Sequence, residues 1–463
     1  MRDTLDPRVP PTEHGLLLTG GTVVTMDERR SVVAGDVLVE GDTIAAVGPG
    51  LAERAELGDR VARAARVDVR GCVVAPGFVD THRHAWQTQF RRSIADVDDL
   101  AGYLETTLAG LAPHYAPEDM YVGTRLAALT ALDAGITTML DFSHNSRSAA
   151  HSERAIEALI DTGIRGVHAA MGPHFGEWDR QWPGDLARLV GRYAGAARGL
   201  IGFRLGALAT DEVAGPDLAY GPRLAAVAAD LDVGVSVDAV LGPSSSEAVL
   251  GWERAKLLDD RLTLIHCTDL TPEAWRAMGD AGVGVALAPT SDAQIGLATA
   301  VPAIDEALAV GLRPGLSIDV EVALASDMFT QMRALHAIQR MRAVAAAHGE
   351  GEVAPRLSTA DVLDLATARG AAAIGLGDVT GRVVPGLAAD LLIVAAEDVN
   401  TMPLNDPVAT LVLGADARNI RAVLVGGAFM KWNGRLVGVD VDALRRDVLR
   451  SRDAINHRMH ASR

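Results

Sequence analysis

The chain has 463 residues, of which 49% are hydrophobic and 22% are charged, so it is long enough to bury a large core. Its 43 Lys and Arg residues against 60 Asp and Glu residues give a formal net charge of -17, which repels nucleic-acid phosphates and anionic lipid. With no signal-like apolar segment near residue 1, no apolar run of about 18 residues and only two cysteines, we expect a cytoplasmic protein without nucleic-acid or membrane partners.

The chain begins with a β-rich region and continues with a long region of alternating strands and helices. Residues 15–75 carry short apolar runs separated by turn residues, which is typical of a small antiparallel sheet. Between residues 76 and 375, buried-looking runs alternate with Ala- and Leu-rich helical stretches; the runs are "CVVAPGFVD", "ITTMLDF", "RGVHAAM", "LIGFRLGAL", "VGVSVDAV", "LTLIHCT", "VGVALAPT" and "GLSIDV". This pattern predicts an α/β fold, a (β/α)8 TIM-like barrel over 76–375.

Two further features complete the predicted organisation. The long gap between the first and second barrel strands carries at least two helical stretches, which are in position to cap the mouth of the barrel. After residue 375, strand and turn patterns return in "LLIVAAED" and "NIRAVLVGGAFMKWNGRLVG", followed by a charged helical tail. We therefore predict that residues 1–75 and 376–463 build one composite β-sandwich domain with a C-terminal helix.

Ionisable side chains stand at the predicted C-terminal ends of several barrel strands, where barrel enzymes place their active sites. These side chains are His82, His84, Asp141, His144, Asp238, His266 and Asp319. Strand alternation directs His82 and His84 to the same side, and buried ionisable groups are costly without partners. Imidazole and carboxylate ligands suit one divalent metal, Zn or Fe, whose bound water loses a proton near neutral pH.

Several motifs are similar to those of the amidohydrolase superfamily. They are "VVAPGFVDTHRH", "DAGITTMLDF", "IHCT", "LSIDV" and "TARGAAAIGLGDVTGRVVPGLAADLLIV". The chain resembles most the branch of cytosine deaminases, S-adenosylhomocysteine or guanine deaminases, and chlorohydrolases. The resemblance implies a split β-sandwich beside a metal-dependent barrel, a small-molecule substrate and a homo-oligomer. It also implies that His82 and His84 bind the metal, that His266 at the metal site orients water or substrate, and that Asp319 is both ligand and proton shuttle.

The motif after the fifth strand departs from that family. Where the family usually has a His ligand and, three positions later, a Glu acid, this chain has Asp238 and Leu241. Asp238 is able to bind a metal but adds negative charge, which makes a bound water less acidic. Leu241 cannot transfer a proton, so Asp292 and Glu321 are the candidates to replace the missing acid.

Other residues near these strand ends are predicted to serve the site indirectly. Trp86, Gln89, His174, Asp292 and Glu321 are the predicted substrate-binding residues. Asp141 and His144 are predicted to orient a ligand imidazole, whereas His168 is expected to be a core histidine.

Two functions follow from these motifs. The first is a hydrolase of the deaminase or chlorohydrolase type, in which metal-activated water attacks a C–N or similar bond of a small nitrogen heterocycle. The second is an altered member of the family that catalyses a lyase, isomerase or cyclisation step with a weakened or absent metal.

Overall fold

The computed structural model describes residues 8–297, 301–349 and 355–461. Its strands are β1 (Leu16–Val24), β2 (Val32–Glu40), β3 (Thr43–Gly48), β4 (Ala65–Asp68), β5 (Cys72–Pro76), β6 (Phe78–Arg83), β7 (Ile136–Ser143), β8 (Arg165–Ala170), β9 (Ile201–Leu208), β10 (Gly234–Ala239), β11 (Leu262–His266), β12 (Gly284–Leu287), β13 (Gly315–Leu316), β14 (Leu391–Ala395), β15 (Ile420–Val425), β16 (Ala428–Trp432) and β17 (Arg435–Leu436).

The helices alternate with the central strands and also close the chain. They are α1 (Gly58–Arg63), α2 (Leu100–Tyr103), α3 (Pro117–Asp133), α4 (Ala149–Thr162), α5 (Leu186–Tyr193), α6 (Ala196–Gly199), α7 (Pro222–Asp230), α8 (Gly242–Arg254), α9 (Pro272–Ala281), α10 (Ser291–Gln294), α11 (Ile304–Ala309), α12 (Met328–Ala347), α13 (Thr359–Leu365), α14 (Ala368–Ala373), α15 (Pro407–Ala409) and α16 (Val441–Ala461). Within the described ranges, no helix combines the length and apolarity that a membrane span requires.

Strands β6 to β13 form a parallel sheet in chain order, which curls into a nearly closed barrel. Every residue of β7 is buried, in keeping with its largely apolar and β-branched sequence, since helices cover the outer face of a parallel sheet. An isolated bridge between Arg83 and Asp319 joins the two ends of the sheet. The predicted (β/α)8 barrel is confirmed.

The second sheet takes strands from both ends of the chain, as predicted. Its order is β17-β16-β15-β14-β5-β1-β2-β3, and β4 pairs with β1. Buried side chains from both halves, among them Leu18, Val37, Leu391 and Trp432, share one apolar core. The domain boundaries at residues 75 and 375 stay predictions.

The run "CVVAPGFVD", predicted as the first barrel strand, is divided between the two sheets. Cys72–Pro76 pairs with β1 and β14, and only β6 belongs to the barrel. The chain crosses between the sheets at Gly77, where a Cβ atom would lie 2.0 Å from Oγ1 of Thr137. Periodicity alone did not reveal this break, because the residues on both sides of it, Val73–Pro76 and Phe78–Val79, are apolar and buried.

The insertion between β6 and β7 lies over the barrel mouth, as the sequence predicted. It comprises a 3-10 turn at Ala85–Phe90, α2, a π-helical segment at Leu104–Leu111, and α3. Helix α16 packs against α3, and its Ser451 hydroxyl donates to Oδ1 of Asp119 over 2.6 Å. The two chain segments therefore support each other beside the mouth.

A buried ion-pair network ties β6 to the segment that follows β13. The Arg83 side chain is fully buried and contacts Asp80 (3.3 Å) and Glu321, whose Oε1 accepts from Arg83 Nε over 2.8 Å. Glu321 also accepts from Arg91 Nε (2.8 Å) and from the Ser326 hydroxyl (2.7 Å). Burial acts to raise the pKa of Glu321, but Arg83 and Arg91 outweigh it and lower the pKa to about 2. Glu321 is therefore an ionised member of the fold's interior.

Replacing Glu321 with Gln should strongly destabilise the barrel. The amide keeps the size of the side chain but removes the negative charge that pairs with the buried Arg83 guanidinium. We expect the free energy of unfolding to fall by about 3–5 kcal/mol. Urea denaturation followed by tryptophan fluorescence measures the change.

The control is Glu40→Gln, which breaks the solvent-accessible ion pair between Glu40 and Arg60. We expect no measurable change there, because exposed pairs are screened and contribute little. Equal midpoints for Glu321→Gln and the wild type would contradict a structural role for the buried network.

Candidate metal centre and cavity

Two histidines and one aspartate meet where the first and last barrel strands close. His82 lies near the end of β6 and His84 directly follows that strand, and their ring centroids are 4.6 Å apart. Oδ1 of Asp319 is 3.2 Å from Nε2 of His82 and 3.1 Å from Nε2 of His84. The alternation expected from the sequence does direct both imidazoles to one point.

Asp238 in β10 and His266 at the end of β11 complete this group of donors. Oδ1 of Asp238 lies 3.9 Å from Nε2 of His82 and 3.7 Å from Nε2 of His266. Nε2 of His266 is 3.6 Å from Oδ2 of Asp319. The structure therefore brings together all five residues predicted to form the metal site, which we call the donor cluster.

The backbone of the donor cluster is strained at two residues. Asp319 has φ 68° and His266 has φ 63°, which is the left-handed region that side chains other than glycine rarely adopt. In this conformation the N–H of Asp319 donates to the carbonyl of His82 (2.9 Å), and its own carbonyl accepts from the N–H of His84 (3.1 Å). Strain of this kind persists only where the surrounding structure enforces it.

The donor cluster fits a divalent cation on its own chemistry. Among the described residues, His82 Nδ1, His82 Nε2, Asp238 Oδ1 and Asp319 Oδ1 are buried without a hydrogen-bond partner. Unpartnered buried polar atoms are costly, and three of these four face one another, because His82 Nε2 lies 3.9 Å from Asp238 Oδ1 and 3.2 Å from Asp319 Oδ1. Ligands about 2.1 Å from a tetrahedral ion lie roughly 3.4 Å apart, which is close to the separations observed between these nitrogen and oxygen atoms.

Hydrogen bonds behind the donor cluster orient its members. Nδ1 of His84 lies 3.2 Å from the carbonyl oxygen of Phe142, which only accepts, so Nδ1 carries the hydrogen and the lone pair is on Nε2. Nδ1 of His266 is 2.9 Å from Oδ1 of Asp292. The Ser291 hydroxyl donates to Oδ2 of Asp319, which leaves Oδ1 to face the two histidines.

The electrostatics of the donor cluster favour positive charge. Burial acts to lower the pKa of His266, but the carboxylates of Asp319, Asp292 and Asp238 outweigh it and raise the pKa to about 10. Burial acts to raise the pKa of Asp319, yet the neighbouring histidines hold it well below its usual range. Asp319 is therefore ionised and attracts a cation.

A cavity continuous with solvent opens above the donor cluster, with about 690 Å³ of empty space when its open mouth is included. His84, Asp238, His266 and Asp319 form its polar base. Of the residues predicted from the sequence to serve the site indirectly, the structure brings His144 and His174 to its wall. His144 packs against the His84 ring with centroids 4.0 Å apart, consistent with its predicted role of orienting a ligand imidazole.

Two residues predicted to bind substrate instead belong to the packing around the mouth. Trp86 is fully buried and meets the edges of Tyr115 and His144 at centroid distances of 4.9 and 5.4 Å. Gln89 donates from Nε2 to the carbonyl of Asp119 (2.6 Å) and to the hydroxyl of Ser451 (3.1 Å). Neither lines the cavity, because the 3-10 turn that follows His84 directs both side chains toward α3 and α16.

Three acidic residues also lie elsewhere than expected. Glu321 lies in the ion-pair network on the other side of β6, so it neither binds substrate nor replaces the missing acid. Asp292 lies behind His266 and orients that ring rather than facing the cavity. Asp141 pairs with Nδ1 of His168 (3.2 Å), not with a member of the donor cluster, so its predicted role is wrong.

Sequence reasoning missed Arg83, Ser291 and most of the apolar cavity wall. The importance of Arg83 could have been predicted from the sequence. Strand alternation places it on the face opposite His82 and His84, which helices bury, and a buried charge needs a partner. Ser291 carried none beyond its position after a strand. Leu241 lines the cavity at the start of α8, where its N–H donates to the hydroxyl of Ser245 over 3.1 Å.

Comparison with known proteins agrees with this architecture. The chain is 28% identical over 437 residues to a 5-methylthioadenosine/S-adenosylhomocysteine deaminase of Syntrophomonas wolfei, covering 92% of this chain and 95% of the relative. Its fold matches the atrazine chlorohydrolase of Arthrobacter aurescens complexed with zinc, with a TM-score of 0.80, 24% identity, and coverage of 94% and 100%.

A second solved structure has the same fold. An adenosine deaminase of Xanthomonas campestris with bound zinc superimposes with a TM-score of 0.79 and 22% identity, over 96% of this chain and 98% of that one. The match to the amidohydrolase family spans residues 73–205 and 225–434, which include the barrel strands except the end of β9, and every member of the donor cluster. The chain therefore belongs to the amidohydrolase family.

Proposed function

We propose that the protein is a metal-dependent hydrolase of the deaminase or chlorohydrolase type, which attacks a C–N or similar bond of a small nitrogen heterocycle. The observation that carries this proposal is the donor cluster, whose unpartnered nitrogen and oxygen atoms converge at the base of an open cavity. The deaminase and hydrolase names of the relatives support the same reaction class. Location in the cytoplasm and a homo-oligomeric state stay predictions.

His82, His84, Asp238 and Asp319, with His266 beside them, are the residues proposed to hold the metal, for which we favour zinc. A divalent ion at this position supplies Lewis acidity, which makes water nucleophilic near neutral pH. Asp238 in place of a histidine adds a second carboxylate. It lowers the net positive charge of the site and so weakens the activation of water by the ion.

Asp319 and His266 are the proposed catalytic residues. As a buried carboxylate held ionised by its neighbours, Asp319 accepts a proton from the attacking water. The bond between Asp292 and Nδ1 directs Nε2 of His266 toward the base of the cavity, where it donates to the oxygen or leaving group of the substrate. The proton taken by Asp319 then goes to the departing nitrogen, so that water adds across the C–N bond and an amine or ammonia leaves.

A non-hydrolytic reaction is the second candidate, and Leu241 is the observation that favours it. Leu241 lines the cavity at the position where the enzymes that this chain resembles usually have an acidic residue. Without that acid, the leaving group depends on Asp319 or His266 for its proton. An isomerase step on a small metabolite releases no leaving group, and a lyase or cyclisation step can release one that needs no proton from an acid at this position.

We expect about one divalent metal per chain, bound by the donor cluster. The double variant His82→Ala/His84→Ala removes two ligands, so it should retain well under half an equivalent after purification without chelator. Elemental analysis measures the metal content. Because the ligands join different strands, chelation of the wild type should also lower its thermal midpoint.

The matched control is His457→Ala, which replaces an exposed histidine of α16 and should leave both metal content and thermal midpoint unchanged. A folded wild-type protein that carries well under half an equivalent, even when offered Zn²⁺ or Fe²⁺, would contradict the metal proposal. It would favour the non-hydrolytic candidate.

Hydrolysis requires oxygen from solvent in the product. Aminated and chlorinated heterocycles incubated in ¹⁸O-labelled water should give labelled products together with ammonia or chloride. Asp319→Asn keeps the size of the side chain but removes its basicity, so the rate should fall by roughly 10²–10⁴-fold. Mass spectrometry of the product and single-turnover rates measure both effects.

Asp59→Asn, on the exposed helix α1, is the control and should react at the wild-type rate. His266→Asn should be less severe than Asp319→Asn if His266 mainly orients the reactants. A turned-over substrate whose product contains no labelled oxygen would rule out hydrolysis and support the second candidate.

A further inference from the structure

The cavity above the donor cluster has an aliphatic wall. Away from the base, the wall includes Leu100, Leu104, Leu108, Leu208, Val213 and Ile295. No lysine or arginine is among the described residues that line the cavity, and the carboxylates among them are Asp238 and Asp319 of the donor cluster. A substrate anion would therefore find no cation on the wall to replace its hydration.

The polar groups on the wall are uncharged. Nδ1 of His174 is buried without a hydrogen-bond partner in the described part of the chain, and burial lowers the pKa of this residue to about 4. His174 is therefore neutral at pH 7 and able to exchange a hydrogen bond with a ring nitrogen or an amino group. The Tyr103 hydroxyl, which accepts from Nε2 of Gln87 over 2.7 Å, is a second neutral group.

The nearby arginine is not free to bind an anion. The guanidinium of Arg147 is occupied by backbone carbonyls, because it donates to Ala112 (3.0 Å), Glu177 (3.0 Å) and Phe175 (2.9 Å). These bonds join the loop that carries His174 to Ala112, which directly follows the π-helical segment that carries Leu104 and Leu108. Arg147 therefore fixes the shape of the wall without contributing a charge to it.

The opposite side of the wall is also held in place. Gly296 has φ 65°, and a Cβ atom there would lie 2.5 Å from the carbonyl oxygen of Asp98. This close approach lets the segment after β12, with Ile295, pack against the start of the insertion. The cavity is thus formed between elements that pack directly on each other, and its apolar wall is preformed for a ligand.

Building on the proposed function, we infer that the cavity selects an uncharged nitrogen heterocycle bearing an apolar substituent and rejects the same heterocycle bearing a carboxylate. The heterocycle lies over the donor cluster with His174 at its polar edge. The substituent lies against the leucines and Val213. The protein's net charge of -17 acts in the same direction, because it lowers the local concentration of anions.

Matched ligand pairs test this inference on the Zn²⁺-loaded protein. One pair is 9-propyladenine and 9-(2-carboxyethyl)adenine, and the other is an aminotriazine with a propyl or a carboxyethyl group. Isothermal titration calorimetry should show at least one neutral member binding roughly 100-fold or more tightly than its carboxylate partner. Equal binding within both pairs, or binding of no member at millimolar concentration, would overturn the inference.

The assay separates this inference from the proposed function. Ammonia release is measured on the same compounds. Selective binding of a neutral member without ammonia release counts against the proposed hydrolysis and leaves the selectivity standing. Hydrolysis of both members of a pair at equal rates supports the reaction and overturns the selectivity.

A gain of affinity provides the second test. Val213→Arg places a cation on the wall and should improve binding of the carboxylate ligand about tenfold or more, whereas Val213→Met adds length without charge and should not. Leu104→Arg repeats the test from the insertion in case the first variant does not fold, as judged by circular dichroism. If both arginine variants fold and neither binds the carboxylate better than wild type, the substituent does not lie against this wall and the inference fails.

Discussion

The site depends on the closure of the barrel between its first and last strands. Asp319 forms backbone hydrogen bonds with both His82 and His84, and its carboxylate lies within 3.2 Å of both imidazoles. On the outer side of the same junction, Arg83 and Glu321 form the buried ion pair. Arg83 lies between the two histidines, so strand alternation directs it to the opposite face of β6. His82 and His84 face the cavity and the metal site, whereas Arg83 faces outward and pairs with Glu321. The left-handed backbone of Asp319 is tolerated because closure fixes it from both sides.

The donor cluster concentrates charge in a place where charge is costly. Two carboxylates and three imidazoles lie within a few ångströms of one another, a third carboxylate, Asp292, lies behind His266, and several of these atoms have no partner in the described structure. A cation resolves both problems, since it neutralises the carboxylates and coordinates the unpartnered atoms. Compared with the enzymes that this chain resembles, Asp238 adds one negative charge to the donor cluster, because it replaces a neutral histidine with a carboxylate. Leu241 stands where the enzymes that this chain resembles usually have an acid, so in the proposed hydrolysis the proton transfer falls to Asp319 and His266.

The mouth of the barrel is built by segments far apart in sequence. Trp86, Tyr103, Ile295, Val320 and Ile455 share one apolar cluster, which joins the insertion, the segments after β12 and β13, and helix α16. This cluster explains why α16, whose charged sequence suggests a solvated helix, packs against the barrel domain. It also explains why Trp86 and Gln89 support the cavity from behind. In the inferred binding mode, the aliphatic residues of the insertion and of the loop after β9 select the substrate.

The sequence alone determined the fold class, the two-ended second sheet and the members of the donor cluster, because buried strands, strand alternation and ionisable strand ends are local patterns with one geometric outcome. It could not determine the contacts that decide the roles of Glu321, Asp292 and Asp141. Each is an acidic residue near a strand end, and only the tertiary structure shows which partner it meets: Arg83, His266 or His168. The same holds for the break at Gly77 and for the apolar wall of the cavity. A side chain's partner across the barrel depends on how distant segments pack, and no local pattern encodes that.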